Sequence, residues 1–189
     1  MNDDQRLSRL QAELSDCGAI IDGPYQVWAL DADLNDSHLQ RLAVWADLEF
    51  LTAIGCPITN DSLVSIGKFR RLTSLDIGRT KITASGITHS DLPKTLSVLG
   101  IYEIPLTDEA VERIAELSNL RMLNCNNCGL SLKQFQRLAT LPMLMGFEAL
   151  ACPVPDEVAN DVSKRIPTGL LRLDSGVWKN GELIRRRET

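Results

Sequence analysis

Leucine recurs along the chain at a fixed interval. Leu48, Leu72, Leu96, Leu120 and Leu144 are each 24 residues apart. Three, five and ten residues after them lie further apolar columns: Leu51, Leu75, Leu99, Leu123 and Phe147; Ala53, Ile77, Ile101, Cys125 and Ala149; and Ile58, Ile82, Leu106, Leu130 and Val154. An internal repeat of this length predicts stacked copies of one structural unit.

Each repeat divides into a strand-like half and a helix-like half. Apolar residues at its first, fourth and sixth positions fit a short strand with one buried face. In the second half the spacing becomes helical, as at Val111, Ile114 and Leu117, and Ser131 and Gln134 have capping-box spacing at a helix start. A strand followed by a helix cannot bury its apolar side alone, so the pattern predicts an array.

The ninth position of the repeat carries a second signature. It holds Cys56, Thr80, Ile104, Cys128 and Cys152, and segments such as LEFLTAIGCPI and LRMLNCNNCGL match L-x-x-L-x-L-x-x-N/C-x-L. Over about residues 25–175 the chain resembles the leucine-rich-repeat family, and within it the cysteine-containing, bacterial-type repeats of the ribonuclease-inhibitor-like superfamily. The resemblance implies an α/β fold, a right-handed solenoid of about six coils in a horseshoe arc, with parallel strands on the concave face and helices on the convex face.

We expect residues 1–189 to form a single domain. A solenoid exposes its core at both ends and needs covers there. The expected parts are an N-terminal capping helix within residues 1–23, the repeats in residues 24–169, and a C-terminal strand and hairpin cap in residues 170–189.

The two predicted covers have recognisable apolar positions. The N-terminal helix carries leucines along one side: Leu7, Leu10 and Leu14. A hairpin turn is predicted at Asn180-Gly181, and we expect Trp178 and Ile184 to pack over the last coil. The repeat at residues 84–95 departs from the pattern, and a poorly formed helix or an extended segment is expected there.

Composition narrows the classes of partner. The chain is 44% hydrophobic and 24% charged, as in ordinary globular domains. No segment reads as a membrane span or a signal peptide, so a cytoplasmic protein without a membrane partner is expected. The net charge of −5 argues against nucleic acid, and we interpret the basic cluster Arg185 to Arg187 as a solvated tail.

Candidate chemistry in this sequence is sparse. Cys125 and Cys128 form a C-x-x-C, but both fall in core columns, and His38 and His89 lie in distant repeats, so four zinc ligands do not converge. We therefore predict no catalytic residue, metal or cofactor, and no enzymatic activity. An enzyme using Cys125, Cys128 or His38 is the less favoured alternative.

The outward-facing strand positions are the candidate binding surface. Large apolar residues occupy several of them: Trp28, Leu30, Phe50, Ile54, Val98, Tyr102 and Met122. Exposed apolar clusters with Trp and Tyr often mark protein contact surfaces, so we predict a protein-interaction module. Two alternatives stay open: self-assembly into a homodimer, and burial of these residues under the chain's own N-terminal helix or residues 20–26.

Overall fold

The sheet follows the order of the chain. The structure, a computed structural model, describes residues 3–43, 45, 47–166 and 169–186, with side chains in the first helix from Ser8 onward. Within these residues one ten-stranded sheet pairs each strand with its neighbours in sequence. The strands are β1 (Ile20–Asp22), β2 (Gln26–Leu30), β3 (Phe50–Ile54), β4 (Ser74–Asp76), β5 (Val98–Gly100), β6 (Met122–Asn124), β7 (Gly146–Glu148), β8 (Leu170–Leu173), β9 (Gly176–Lys179) and β10 (Glu182–Arg186).

The interval found in the sequence is the register between strands. Strands β2 to β8 run parallel, and their partner residues are 24 positions apart, as in Val27 opposite Leu51 and Leu51 opposite Leu75. The antiparallel pairs lie at the ends of the sheet: β1 with β2, β8 with β9, and β9 with β10. The predicted parallel sheet is confirmed.

The repeated apolar columns form the core between the sheet and the helices. The leading leucines and the columns three and five residues after them are all buried, whereas Val154, ten residues after Leu144, is only partly buried. Phe135 and Phe147 stack with ring centroids 5.1 Å apart. Because Phe147 lies on β7 and Phe135 on the preceding helix, this pair ties sheet to helix within the core.

Seven helices are described, and most of them start in one column of the repeat. They are α1 (Asp3–Asp16), α2 (Asp36–Leu42), α3 (Asn60–Ile66), α4 (Ala84–Thr88), α5 (Asp108–Ala115), α6 (Leu132–Leu138) and α7 (Asp156–Arg165). The residues that cap α2 to α6 are again 24 apart: Asn35, Thr59, Thr83, Thr107 and Ser131. Each side chain accepts a hydrogen bond from an amide of the first turn, the reason such residues begin helices. The predicted capping box at Ser131 and Gln134 is present.

Side chains also connect the start of one helix to the next. The Asp36 carboxylate on α2 accepts hydrogen bonds from the amide and the hydroxyl of Thr59, both at 2.8 Å, and from the Ser62 hydroxyl on α3. Burial alone would raise the pKa of Asp36. The hydrogen bonds from Ser62 and Thr59 together outweigh burial and lower this pKa below its ordinary value. The Asn60 carbonyl similarly accepts from the Thr83 amide at 2.9 Å. Successive helices are therefore fixed to one another at their N-terminal ends.

A turn of the same conformation follows each of six strands. The residues Asp31, Gly55, Arg79, Glu103, Asn127 and Ala151 are 24 apart and have φ between 50° and 67°. This left-handed conformation costs an ordinary residue about 1–2 kcal/mol. Gly55 avoids that cost, and Asp31 and Asn127 belong to the residue types that tolerate this conformation. At Arg79, Glu103 and Ala151 the turn is therefore imposed by the stack rather than by the local sequence.

The helix of the irregular repeat at residues 84–95 is short, in keeping with the first of the two expected forms. Helix α4 has only five residues. After it the Ser90 hydroxyl donates to the carbonyl of Ile87 at 2.8 Å, and Arg113 of α5 donates to the carbonyl of Ser90. These bonds replace the helical ones that the truncated helix lacks.

The N-terminal segment lies beside the sheet and not over it. Leu10 and Leu14 of α1 are buried in the common core, while the side chain of Leu7 lies outside the described residues. Residues 20–22 form the edge strand β1, which extends the sheet next to β2. The alternative in which α1 or residues 20–26 cover the outward face of the strands is wrong, because Trp28 and Leu30 keep 56% and 65% of their surface exposed.

The C-terminal hairpin agrees with expectation except at Ile184. Its turn lies at Asn180 and Gly181, both with positive φ, and Trp178 is buried as predicted. Ile184 instead is 54% exposed, because the register shifts between Leu183 and Arg185 and leaves Ile184 at the irregularity. The prediction that Ile184 packs over the last coil is therefore wrong.

The basic residues near the C-terminus belong partly to this hairpin. Arg185 and Arg186 are exposed, as interpreted from the sequence, but they are paired in β10 with Val177 and Gly176 and so belong to a strand and not to a tail. Arg187 lies outside the described residues.

Candidate functional site

The side of the sheet opposite the core is the candidate site. Along β2 and β3 buried residues alternate with exposed or half-buried ones, as in a strand with one covered face. We call the uncovered side of β1 to β10 the open strand face. Because the register is uniform, its side chains form rows that run across neighbouring strands.

The structure places all seven sequence-predicted contact residues on this face, with different degrees of exposure. The exposed ones are Trp28 at 56%, Leu30 at 65%, Phe50 at 37%, Val98 at 36% and Met122 at 44%. Ile54 and Tyr102 are half-buried. Partner binding by these residues stays a prediction.

Four of the seven come together at the N-terminal end of the sheet. Leu30 lies directly opposite Ile54, while Trp28 and Phe50 occupy adjacent strands two positions apart in register. Ile20 on β1 lies opposite Trp28 and is 69% exposed. We call Ile20, Trp28, Leu30, Phe50 and Ile54 the apolar patch.

Ile20 is a member that sequence reasoning missed. Residues 1–23 were assigned to the N-terminal cap because they precede the first recognisable repeat. The available signal was the segment Ile20-Ile21-Asp22, two β-branched residues and a carboxylate before Gly23, which fits a short edge strand turning into β2.

The remaining predicted residues lie apart from the patch. Val98 and Met122 are opposite each other on β5 and β6. The Met122 thioether lies over Gly146, where an added Cβ would collide with the sulfur, and the Tyr102 ring lies over Gly78 in the same way. Glycine in one coil thus makes room for a large side chain of a neighbouring coil, and Tyr102 does not join the apolar patch.

A polar centre separates the two apolar groups, and its main residue is Asp76. Asp76 lies between Thr52 and Gly100 in the row that begins at Trp28. Its carboxylate extends over Gly100, where an added Cβ would be 2.5 Å from the carboxyl carbon. Oδ1 accepts a hydrogen bond from the Gly78 amide at 3.1 Å. Burial raises the pKa of Asp76, and that hydrogen bond offsets only part of the effect.

An ion pair borders the polar centre where the strands end. The Arg79 guanidinium donates to both carboxylate oxygens of Asp31, at 3.0 and 3.1 Å. Its hydrogen bonds to Asp31 and to Tyr102 raise the pKa of Arg79. Burial raises the pKa of Tyr102, and the nearby negative charge of Asp76 adds to the effect. Arg79 is therefore engaged by Asp31 and Tyr102.

The opposite end of the open strand face is basic. A cavity of about 390 Å³ there is lined by Leu150, Val177 and three arginines, Arg172, Arg185 and Arg186. Arg172 pairs with Glu148 at 2.9 Å. The open strand face thus changes from apolar and acidic at β1 to β4 to basic at β8 to β10.

The cysteines lie in the core, as the repeat predicts. All five are free, and four of them are buried, with Cys17 partly so. Cys128 donates to the carbonyl of Ile101 at 3.2 Å, and Cys56 to the carbonyl of Ala29 at 3.6 Å. Burial raises the pKa of Cys125 far above the ordinary thiol value. The ninth-position thiols thus satisfy backbone carbonyls of the preceding coil.

The histidines are accounted for by helix ends. His38 Nδ1 accepts from the Asn35 amide at the start of α2, and His89 follows α4 with its ring 2.7 Å from the Ser85 carbonyl. Among the described residues no group of three or more His, Cys, Asp or Glu side chains could hold a metal ion. In the same part of the chain no helix is long and apolar enough to cross a membrane.

Comparison with known proteins supports the fold. No protein-family model matches the chain, and no curated protein matches it in sequence. Among solved structures, an internalin from Listeria monocytogenes matches with a TM-score of 0.56 and 20% sequence identity; the match covers 71% of this chain and 37% of that one. The chain thus spans well under half of the internalin. At this identity the likeness shows the fold alone, which is of the leucine-rich-repeat type.

Proposed function

We propose that this chain is a non-catalytic module that binds a partner protein through the open strand face. The observation that carries the proposal is the apolar patch, in which Ile20, Trp28 and Leu30 each leave more than half of their surface uncovered. Exposed apolar clusters that include Trp commonly mark protein contact sites. The leucine-rich-repeat fold adds to it by analogy, since the family resemblance implies recognition.

The finer architecture belongs to the same proposal. We infer a right-handed solenoid of about six coils whose open strand face is concave. Residues 1–23 would cover its first coil and residues 170–189 its last, in keeping with the burial of Leu14 and Trp178. Buried Cys56, Cys128 and Cys152 support the cysteine-containing subtype.

Site-specific photocrosslinking tests the proposal. A photoreactive phenylalanine analogue is placed at position 28 or 50 of the full chain in cells. Val64 on α3 is the matched control, because it is apolar and 68% exposed but lies on the helix side. Crosslinks to one defined protein from positions 28 and 50 but not 64 are expected. Equal crosslinking from all three positions would contradict a specific binding face.

The same experiment separates self-assembly from partner binding. A homodimer joined through the apolar patch gives a crosslinked product of twice the chain mass, with only peptides of this chain in it. A different protein in the product supports the partner hypothesis. Mass spectrometry of the product distinguishes the two outcomes.

A further inference from the structure

The carboxylate of Asp76, beside the apolar patch, has no counter-charge among the described residues. Asp76 lies two strands from Trp28 in the same row, a distance of about 10 Å at the usual strand spacing. Among the described residues no cation lies within 4.0 Å of its carboxylate, and its hydrogen bond comes from the uncharged Gly78 amide. A partly buried carboxylate without a counter-charge is destabilising.

The nearby arginines do not supply that counter-charge. Arg79 is held by Asp31, and Arg71 by Asp47 and Glu49. On the other side of the patch Asp22 lies in the row of Phe50, and it too has no cation within 4.0 Å in the described part of the chain. Among the described residues, the patch is thus bordered on both sides by carboxylates that have no counter-charge within 4.0 Å.

We propose that the partner supplies a basic side chain, Lys or Arg, that reaches Asp76 while neighbouring apolar side chains of the same segment pack on the apolar patch. This inference rests on the proposed function and adds the chemistry of the partner. Gly100 is part of the arrangement, because a side chain there would meet the Asp76 carboxylate. Covering the site with apolar groups removes water and strengthens the attraction between the two charges.

Charge complementarity favours this occupant over a second copy of the chain that is joined patch to patch. Two copies joined face to face through their patches would bring Asp22 and Asp76 of one near the same carboxylates of the other, and like charges at an interface cost several kcal/mol. A neutral apolar segment would bury Asp76 without a partner charge. A basic and apolar segment has neither penalty.

Random peptides displayed on phage and selected against the full chain provide the probe. We expect selected peptides to carry Lys or Arg beside bulky apolar residues. Fluorescence anisotropy then measures the affinity of the corresponding synthetic peptides for the wild type and for D76N, with D61N as control. Asp61 is an exposed carboxylate on the helix side. We expect D76N to weaken binding about tenfold or more, since loss of one partner of a buried charge pair commonly does so, and D61N to leave it unchanged.

Two further variants separate the possible failures. D76K is expected to reject the basic peptides and to accept versions in which Lys or Arg is replaced by Glu, an exchange that a purely structural role would not produce. In a second outcome, the selected peptides lose affinity for W28S and yet bind D76N as tightly as wild type. That result would overturn this inference and leave the proposed function standing. Peptides that bind W28S as tightly as wild type would count against the proposed function itself.

Discussion

Replacing Trp28 by serine is expected to remove a contact residue without unfolding the chain. The comparison is with W178S, the same substitution at a tryptophan that is only 6% exposed. Both residues lie on strands of the same sheet, Trp28 on β2 and Trp178 on β9. W28S and W178S therefore compare the same substitution at an exposed position and at a core position.

The expected losses differ severalfold. Full burial of a large apolar side chain stabilises a protein by up to about 3 kcal/mol. Trp28 keeps 56% of its surface exposed, so W28S should lower the free energy of unfolding by about 1 kcal/mol. Trp178 is buried, and its indole N–H donates to the Ser175 hydroxyl at 3.0 Å; emptying such a site costs about 3–5 kcal/mol.

Urea unfolding followed by far-ultraviolet circular dichroism measures both losses. Acrylamide quenching of fluorescence gives an independent check, because the other two tryptophans, Trp45 and Trp178, are buried. Quenching should therefore fall sharply in W28S. A stability loss in W28S as large as that in W178S would refute the assignment of Trp28 to an open face and with it the candidate site.

Three further substitutions test the contacts of the core and the charges. D36A removes the acceptor of two hydrogen bonds from Thr59 and should cost about 1–2 kcal/mol at neutral pH. The folded-state pKa of Asp36 is lowered from the ordinary value of 3.8. This stabilisation is therefore present above pH 3.8 and is lost as the pH falls through the folded-state pKa. The free energies of unfolding of wild type and D36A, measured by urea titration, should become equal in acid. D76N should be more stable than wild type at neutral pH: the raised pKa of Asp76 gives stability that is present below pH 3.8 and lost as the pH rises through the folded-state pKa. Equal stability of D76N and wild type at neutral pH would show that burial does not perturb this carboxylate. F147A should cost about 3–5 kcal/mol by emptying a fully buried ring site against Phe135, and a thermal or urea transition close to that of wild type would contradict the stacked core.

The repeat could be predicted from the sequence because its spacing is also a physical register. Leu51, Leu75 and Leu99 are neighbours across the sheet for the same reason that they are 24 residues apart. Helix starts were recognisable for a similar reason, since Ser131 and Gln134 satisfy backbone groups within a few residues of themselves. Local and periodic interactions leave a signal in a single sequence.

Features that depend on contacts outside the repeat could not be predicted. Ile184 is exposed because the strand register shifts beside it, and the types of residue in this segment do not predict that shift. The place of Asp76 depends on the space above Gly100 in the next strand, which becomes evident only when the two are placed side by side. The exposed patch was foreseen in β2 and β3, but Ile20 was not, because its strand precedes the repeating pattern.

Within the described residues the strand order leaves the sheet two edges, β1 and β10, from which it can open. Each strand is held only by the one before and the one after it, so loss of the first coil removes few contacts from the last, and opening by stages from a terminus is available. The apolar patch occupies β1, β2 and β3, the strands nearest the N-terminal end. A ligand bound there would stabilise the first coils against opening, because it binds only their folded form. Its binding would therefore slow hydrogen exchange of the amides in these coils.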